Sequence, residues 1–273
     1  DAGIYVIARV TIFQDPVIAN ARPDLAIQSS STQGVWYDRK GLAWMDPAGK
    51  ETWEYNVAIA QDAAARGFDE INFDYIRFPS DGNLDDTQYP FWNTKTKKHE
   101  TIRAFFKYLR ESLPTTKISA DIFGIATMKK DDLGIGQILE DAYEYFDYVA
   151  PMVYPSHYSP GTLGYKIPAE YPYEIIKYSL DEAVKRIKKY ESGITDNASS
   201  TTDYSSSSSP MLHASSSVFH THLRPWLQDF SLTTKYNSDM VRKEIKAVYD
   251  AGGKSFMLWN PSNIYTKNAL ENN

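Results

Sequence analysis

Short apolar segments and longer segments with helical periodicity alternate along this chain. The apolar segments are nearly continuous and rich in β-branched and aromatic residues, as in strands that are buried on both faces of a parallel sheet. The clearest of them are residues 4–10, 70–78, 117–123, 148–154 and 254–259, and two weaker candidates are residues 41–45 and 225–230.

The segments between these candidate strands carry apolar residues at the spacing of an amphipathic helix. Trp53, Val57, Ala60 and Ala64, for example, follow one another at intervals of four, three and four residues. Strands and helices that alternate in this way predict βα units around a parallel sheet. The predicted helices cover residues 53–64, 102–113, 136–146, 176–187 and 241–249.

Polar residues end several of the predicted strands. Asp74, Asp121 and Asn260 each stand near the end of a strand, and a Pro or Gly follows each of them closely. Functional groups at the carboxyl ends of strands are typical of a (β/α) barrel and of the crevice in a doubly wound sheet. The chain contains neither G-x-G-x-x-G nor G-x-x-x-x-G-K-[ST], which disfavours a nucleotide-binding sheet. The predicted fold is therefore α/β, a TIM-type (β/α)8 barrel.

The chain is predicted to form a single domain over residues 1–273, with one interruption. Ten of the nineteen residues 199–217 are Ser, and such a stretch buries too little apolar surface to offset the entropy of ordering it. We therefore predict a flexible insertion over residues 192–217, after a helix that ends near Glu191.

Composition and charge exclude several classes of function. The residues are 42% hydrophobic and 23% charged, as in an ordinary folded domain. The net charge of −6 argues against nucleic acid as the partner, and the absence of Cys excludes thiol catalysis and Cys-bound zinc. No apolar run reaches the roughly 20 residues of a membrane span. Residues 1–8 lack the basic and then apolar pattern of a signal peptide.

Two Asp residues at neighbouring strand ends are the candidate catalytic groups. Glu70, Asn72 and Asp74 alternate with apolar residues, so they share the inner face of the barrel, with Asp74 nearest the carboxyl end. Asp121 has the same place on the next strand. Strands about 4.8 Å apart allow two such carboxylates the separation of roughly 5–9.5 Å that glycosidases use. One would act as nucleophile or base, and the other as general acid.

Both assignments have structural alternatives. Asp74 could pair with Arg77, or with another inward base, as part of the scaffold. Asp121 could support the site from behind or cap a helix. Retention or inversion of the anomeric configuration stays open, because it depends on the distance between the two carboxylates.

Further polar and aromatic residues lie at or near the predicted strand ends. The 20 Tyr and 6 Trp residues suggest flat surfaces on which sugar rings stack, although aromatic filling of a large core explains the same numbers. The residues predicted to bind substrate are Arg9, Asn72, Arg77, Tyr154, His157, Asp229, Trp259 and Asn260.

Two patterns look like metal sites but are incomplete. Residues 81–92 begin like a calcium-binding loop, yet Asp86 stands where Gly is expected and Trp92 stands where the bidentate Glu is expected. His220 and His222 lack an obvious third ligand. Neither a metal nor a cofactor is therefore predicted.

Four motifs resemble a bacterial family of glycoside hydrolase-like domains, the domain of unknown function number 4015. The motifs are IYVIAR at residues 4–9, DRKGLAW at 38–44, GFDEINFDYIRFPSDG at 67–82 and LRPWLQDF at 223–230. The resemblance covers nearly the whole chain except the Ser-rich stretch. It implies a (β/α)8 barrel distantly similar to α-amylase and chitinase barrels. It also implies hydrolysis of O-glycosidic bonds in a polysaccharide or a cell-envelope glycan, and an extracellular or cell-envelope location.

The two distant comparisons differ at the position of the acid. Chitinases carry D-G-x-D-x-D-x-E, and the position of its last Glu is Ile76 in this chain, with Asn72 at the middle Asp. The resemblance to chitinases therefore does not extend to N-acetyl-assisted cleavage. The α-amylase pattern fits Asp74 as nucleophile, with Asp121 at the position of an acid that is usually Glu.

The family pattern has two βα units before the strand equivalent to residues 4–10, and only three residues precede that strand here. The resemblance thus implies a barrel that lacks its first two units. One rival reading is a non-catalytic carbohydrate-binding barrel, which a wide separation of the two Asp residues, or an ion pair that locks either of them, would favour. The other is an inactive truncated barrel. The glycan and the oligomeric state stay open.

Overall fold

The computed structural model describes residues 2–199, 222–232 and 234–270. The chain divides into two compact units. Unit 1 comprises Asp1–Asp121 and Asp131–Asp147, and unit 2 comprises Ile122–Lys130 and Tyr148–Asn273.

Unit 1 is built on three adjacent parallel strands, with β3 between β1 and β5. A short antiparallel pair, β2 with β4, lies outside this sheet. The elements in chain order are β1 (Ile7–Thr11), α1 (Pro16–Ala21), β2 (Gln28–Ser29), α2 (Lys50–Ala65), β3 (Glu70–Asp74), β4 (Thr87–Gln88), α3 (Lys98–Ser112), the first part of β5 (Ile118–Phe123) and α4 (Leu139–Tyr145).

The core of unit 1 is largely aromatic. The ring of Phe105 on α3 packs against Phe13, with centroids 5.1 Å apart, and against Trp53 of α2, with centroids 5.2 Å apart. Phe106 meets Phe146 edge-on at 5.0 Å. Rings of this size bury much apolar surface and prefer tilted or edge-on contacts. These ring contacts hold α2 and α3 in place, and the polar groups lie at the strand ends.

Unit 2 repeats the alternation of parallel strands and helices. Its elements are β6 (Tyr148–Met152), α5 (Pro172–Ser199), β7 (Trp226–Gln228), α6 (Ser238–Asp250) and β8 (Met257–Trp259). β7 lies between β6 and β8 and is parallel to both. The apolar faces of α5 and α6 cover β7, because Ile176, Leu180, Ala247 and Val248 pack with Leu227 in one buried cluster.

The predicted α/β class is confirmed. Within the described residues, six parallel strands alternate with helices, and each of the five predicted helices is present, as α2 to α6. The residues that predicted them are also those that are buried, such as Trp53, Val57 and Ala60 on α2. The apolar periodicity therefore reports the packed face of each helix.

Two of the predicted strands are corrected by the structure. β3 ends at Asp74 and does not continue to residue 78, because Tyr75 adopts a left-handed φ of 54°. Residues 41–45 form only isolated bridges, Tyr37 with Ala43 and Ala26 with Met45. A positive φ interrupts the extended backbone of a strand. It could not be predicted from the sequence, because Tyr rarely adopts this conformation.

The helix predicted to end near Glu191 continues to Ser199. Residues 192–199 of the predicted insertion are therefore helical, which corrects its start, and residues 200–217 lie outside the described residues. The single-domain prediction stays a prediction. None of the helices in the described ranges has both the length and the apolar character that crossing a membrane requires.

Candidate active site

Three neighbouring strands of unit 1 bring their polar side chains to one face. In the parallel register, Arg9 of β1 lies beside Asn72 of β3, and Asn72 lies beside Ser119 of β5. Residues two positions apart on a strand point to the same side. Asp74 and Asp121 therefore stand at one level on adjacent strands, one step nearer the carboxyl ends.

A continuous set of hydrogen bonds links the buried polar groups below these two carboxylates. Glu70 accepts hydrogen bonds from the Tyr5 hydroxyl at 2.8 Å and from Ser119 Oγ at 2.5 Å. Asn72 Nδ2 donates to Ser119 Oγ and to Asp121 Oδ1, both at 2.9 Å. Because buried polar groups are costly without partners, this set fixes the side chain of Asp121.

Arg9 lies between the two carboxylates. Its Nη2 donates to Asp74 Oδ2, and its Nε lies 3.6 Å from Asp121 Oδ2. The side chain of Arg9 is 35% exposed, whereas those of Asp74 and Asp121 are only 6% and 1% exposed. Burial alone would lower the pKa of Arg9, but the charges of Asp74 and Asp121 outweigh it and raise the pKa. The guanidinium therefore stays charged beside both acids.

The backbone after β3 fixes the orientation of Asp74. Its Oδ1 accepts a hydrogen bond from Tyr75 N at 2.7 Å, and its carbonyl oxygen accepts one from Ile12 N at 3.0 Å. The left-handed conformation of Tyr75 is a strained one for a residue with a side chain, at a cost of roughly 1–3 kcal/mol. Strained residues of this kind cluster at functional sites. The Tyr75 ring meets Trp44 edge-on, with centroids 5.9 Å apart.

Arg77 follows in the loop and is almost fully buried. Its Nη1 donates to Phe78 O at 3.0 Å and to Ser80 Oγ at 3.2 Å, and its guanidinium lies 4.9 Å from the Trp44 ring. Burial lowers its pKa although Asp74 and other nearby acids act in the opposite direction. Arg77 thus holds the loop after β3, and its predicted contact with substrate stays a prediction.

Two of the substrate-binding candidates of unit 2 lie together after β6. Tyr154 is almost fully buried, and its ring meets His157 edge-on at 5.1 Å and Phe230 at 5.5 Å. Partial burial lowers the pKa of His157. The imidazole is therefore mostly neutral at pH 7 and can accept a hydrogen bond.

The other candidates of unit 2 stabilise the chain around the ends of β7 and β8. Asp229 Oδ1 accepts from Thr266 Oγ1 at 2.6 Å, and its Oδ2 accepts from Thr266 N at 2.7 Å. Asn260 donates to the Asp229 carbonyl oxygen and accepts from Ser262 N at 2.8 Å. The Trp259 ring meets Trp226 at 5.9 Å. These contacts give Asp229 and Asn260 a structural role, and their predicted role in substrate binding stays a prediction.

Sequence reasoning missed a buried carboxyl in unit 2. Glu244 of α6 is fully buried, where its Oε2 accepts from Gln228 N at 2.8 Å and its Oε1 accepts from the Tyr236 hydroxyl. The signal was present, because Glu244 stands three residues after Val241 and four before Val248, on the apolar face of the helix. Burial raises the pKa of Glu244 well above its ordinary value.

The raised pKa of Glu244 predicts a pH dependence of stability. A folded state that holds this proton more tightly than the unfolded state is most stable below the ordinary pKa of about 4.5, and it loses stability as the pH rises towards the folded pKa. The loss is at most about 1.4 kcal/mol per pH unit. Glu244→Gln should remove this slope, which urea denaturation between pH 4 and pH 8 would measure. The exposed Glu174→Gln is the control, and an unchanged slope in Glu244→Gln would contradict the assignment.

The donor groups of the described residues do not form a metal centre. Within residues 2–199, 222–232 and 234–270, no three His, Asp or Glu side chains are grouped to hold an ion. His220, half of the His pair noted in the sequence, lies outside this part of the chain. The prediction of no metal and no cofactor stays a prediction.

Comparison with known proteins gives one family match. The model for domain of unknown function 4015, described as a "putative glycosyl hydrolase domain", matches residues 1–265. A search of curated proteins gives no match.

Several solved structures are similar to the chain. A hypothetical protein from Ruminiclostridium thermocellum ATCC 27405 is 41% identical over 48% of this chain and 60% of its own length, with a TM-score of 0.39. The chain thus spans about three fifths of that relative. The glycoside hydrolase domain of PgaB (BpsB) from Bordetella bronchiseptica is 13% identical over 95% of this chain and 71% of its own, with a TM-score of 0.58. At this identity the likeness concerns the fold, and it confirms the predicted barrel class.

Proposed function

Since the chain belongs to the family of domain of unknown function 4015, we propose that it hydrolyses O-glycosidic bonds in a polysaccharide or a cell-envelope glycan. One observation carries the proposal: two buried carboxylates stand at the same level on adjacent strands and face one guanidinium. Adjacent strands lie about 4.8 Å apart, close to the roughly 5–5.5 Å between the carboxyl groups of retaining glycosidases.

Asp74 is proposed as the nucleophile. A nucleophilic carboxylate carries a negative charge, and the Arg9 guanidinium that pairs with Asp74 balances that charge. The hydrogen bond from Tyr75 N to Oδ1 fixes the plane of the carboxylate. In the first step Asp74 would bond to the anomeric carbon as the bond to the leaving oxygen breaks, and water would then cleave the glycosyl ester.

Asp121 is proposed as the general acid. Two carboxylates and one guanidinium carry a net charge of −1, so one proton on the pair neutralises the cluster. Asp121 is the more deeply buried of the two, at 1% exposure, and burial disfavours a charged carboxylate. Its proton would pass to the leaving oxygen, and the resulting carboxylate would then take a proton from the attacking water.

Recognition of sugar is proposed for the side chains around the strand ends. Tyr and Trp rings offer flat faces for pyranose rings, and Arg, Asn and His offer hydrogen bonds to hydroxyl groups. An extracellular or cell-envelope location follows from the proposed substrate. The residues proposed to bind substrate are Arg9, Asn72, Arg77, Tyr154, His157, Asp229, Trp259 and Asn260.

A non-catalytic carbohydrate-binding domain is the second candidate. The ion pair between Arg9 and Asp74 favours it, because a carboxylate held by a guanidinium can serve as scaffold alone. Against this reading, Arg9 is about one third exposed, so the pair is open to solvent and to a ligand.

A change of leaving group tests the hydrolase proposal. A glycan-library screen first identifies the sugar, and aryl glycosides of that sugar then serve as substrates. Asp121→Asn should retain most of kcat/KM for the 2,4-dinitrophenyl glycoside, because this constant reports the first step and that leaving group needs no proton. It should lose roughly 10²–10⁴-fold in kcat/KM for the phenyl glycoside. Equal losses on both substrates would refute Asp121 as the acid. Glycan binding by a chain that cleaves no member of the library would favour the second candidate.

A further inference from the structure

A cleft lies in unit 1, in the loop that joins β3 to α3. It has a volume of about 350 Å³, and its lining includes Tyr89, Trp92 and Lys98. Small-molecule sites have volumes of roughly 300–1,000 Å³. The loop begins at Tyr75, directly after Asp74, so it emerges from the carboxyl end of β3, where barrel enzymes carry their substrate-binding loops.

The aromatic wall of the cleft consists of Tyr89 and Trp92, which pack on a third ring, that of Phe78. Phe78 is fully buried and packs against Tyr89 at 5.5 Å and against Trp92 at 5.2 Å. Tyr89 and Trp92 meet edge-on at 5.1 Å. Both outer rings remain partly exposed, so they present apolar faces to the cleft. A face of this kind suits the C–H side of a pyranose ring.

Hydrogen bonds hold the loop around the cleft in place. Asp46 is fully buried, and its Oδ2 accepts from Phe91 N at 2.7 Å and from Trp92 N at 2.9 Å. Earlier in the same loop, Asp86 accepts from Ser29 Oγ at 2.6 Å and from Ser30 Oγ at 2.9 Å. The cleft is therefore formed before any ligand arrives, which lowers the entropic cost of binding.

The charge in the cleft is positive. Lys98 Nζ lies 5.1 Å from the centroid of the Phe78 ring and 5.8 Å from that of Trp92, and it donates to Gly134 O at 2.7 Å. An ammonium group has three donors, so it can also bind a carboxylate. Lys95 and Lys97 stand nearby in the loop and are exposed.

Two of the acidic groups near the cleft, Asp132 and Asp86, already interact with other residues of the chain. Asp132 interacts electrostatically with Lys98 and accepts from Gly134 N at 3.0 Å. Asp86 is bound by the serine hydroxyls, which lower its pKa to about 2. Asp85 is exposed. Lys98 is thus the cation that faces the aromatic wall.

We propose that this cleft is a glycan-binding subsite for an acidic sugar, with the sugar ring stacked on Trp92 and its carboxylate bound by Lys98. The proposal rests on the proposed function in taking the ligand to be a glycan. The subsite would hold a sugar of the substrate chain away from the scissile bond.

Calorimetric titration with hexagalacturonate tests the subsite, and maltohexaose is the neutral comparison. The chain should bind hexagalacturonate more tightly than maltohexaose. Trp92→Ala and Lys98→Met should each weaken hexagalacturonate binding about tenfold or more. Lys107→Met, which removes an exposed lysine elsewhere on α3, should leave it unchanged. Thermal melts check the folding of each variant, and Lys98→Met keeps the test valid if Trp92→Ala does not fold.

Equal affinity for the two hexasaccharides, or an unchanged affinity in Lys98→Met, would overturn the proposal. The titrations are done with the full chain and with Asp74→Asn, so that binding is measured independently of cleavage. Hexagalacturonate binding that requires Lys98 in a chain without hydrolytic activity would uphold the subsite and refute the proposed function. Hydrolysis without such binding would do the reverse.

Discussion

Asp74→Asn is expected to lower the turnover of aryl glycosides by on the order of 10⁴-fold or more, because it removes the proposed nucleophile and leaves the fold in place. An amide cannot bond to the anomeric carbon as a carboxylate does, yet it fills the same space. It can still accept the hydrogen bond from Tyr75 N. The measurement is kcat on the 2,4-dinitrophenyl glycoside, whose cleavage does not depend on the acid.

Chemical rescue separates a nucleophile from a residue that only supports the site. Asp74→Gly opens space at the anomeric carbon, and added azide should then restore turnover and yield a glycosyl azide of inverted configuration. The matched control is Asp85→Asn, an exposed carboxylate of the following loop, which should keep wild-type kcat. Wild-type turnover in Asp74→Asn would refute the assignment, and loss of turnover without rescue by azide would reduce Asp74 to a base or a positioning group.

The placement of Asp74 and Asp121 could be predicted from the sequence because strand periodicity is simple. Side chains alternate along a strand, so Glu70, Asn72 and Asp74 necessarily share a face wherever the strand goes. Both Asp residues stand near the carboxyl end of a strand in a βα unit, which brings them to the same end of the sheet. Neither the alternation along the strand nor the position at its end depends on residues far away in the chain.

The charge partner of Asp74 could not be predicted in the same way. The sequence suggested Arg77 or an unspecified inward base, and the structure shows Arg9, which is 65 positions away in the chain. Which side chain forms the ion pair with Asp74 depends on the register between β1 and β3, and on the path that the chain takes after the left-handed Tyr75. Both are tertiary features, and local propensity carries no information about them.

The second large effect concerns Arg9, because two buried carboxylates depend on its charge. Arg9→Met is expected to destabilise the protein by about 2 kcal/mol, less than the 3–5 kcal/mol of a fully buried pair since Arg9 is about one third exposed. It should also lower kcat roughly 10²-fold, because the nucleophile loses the guanidinium that holds it in place. Urea denaturation and kcat on the dinitrophenyl glycoside are the two measurements.

The double variant Arg9→Met with Asp74→Asn distinguishes catalysis from scaffolding, because its stability should recover in part while its kcat should not. Its stability should exceed that expected from the sum of the single variants, because neither member of the pair is left without its partner. Its kcat should stay as low as that of Asp74→Asn, because restored packing cannot supply a nucleophile. Additive losses of stability would mean that the two groups do not interact. If no variant shows turnover and glycan affinity recovers together with stability in the double variant, the conclusion is different. The chain is then a carbohydrate-binding domain in which the Arg9–Asp74 pair is part of the scaffold.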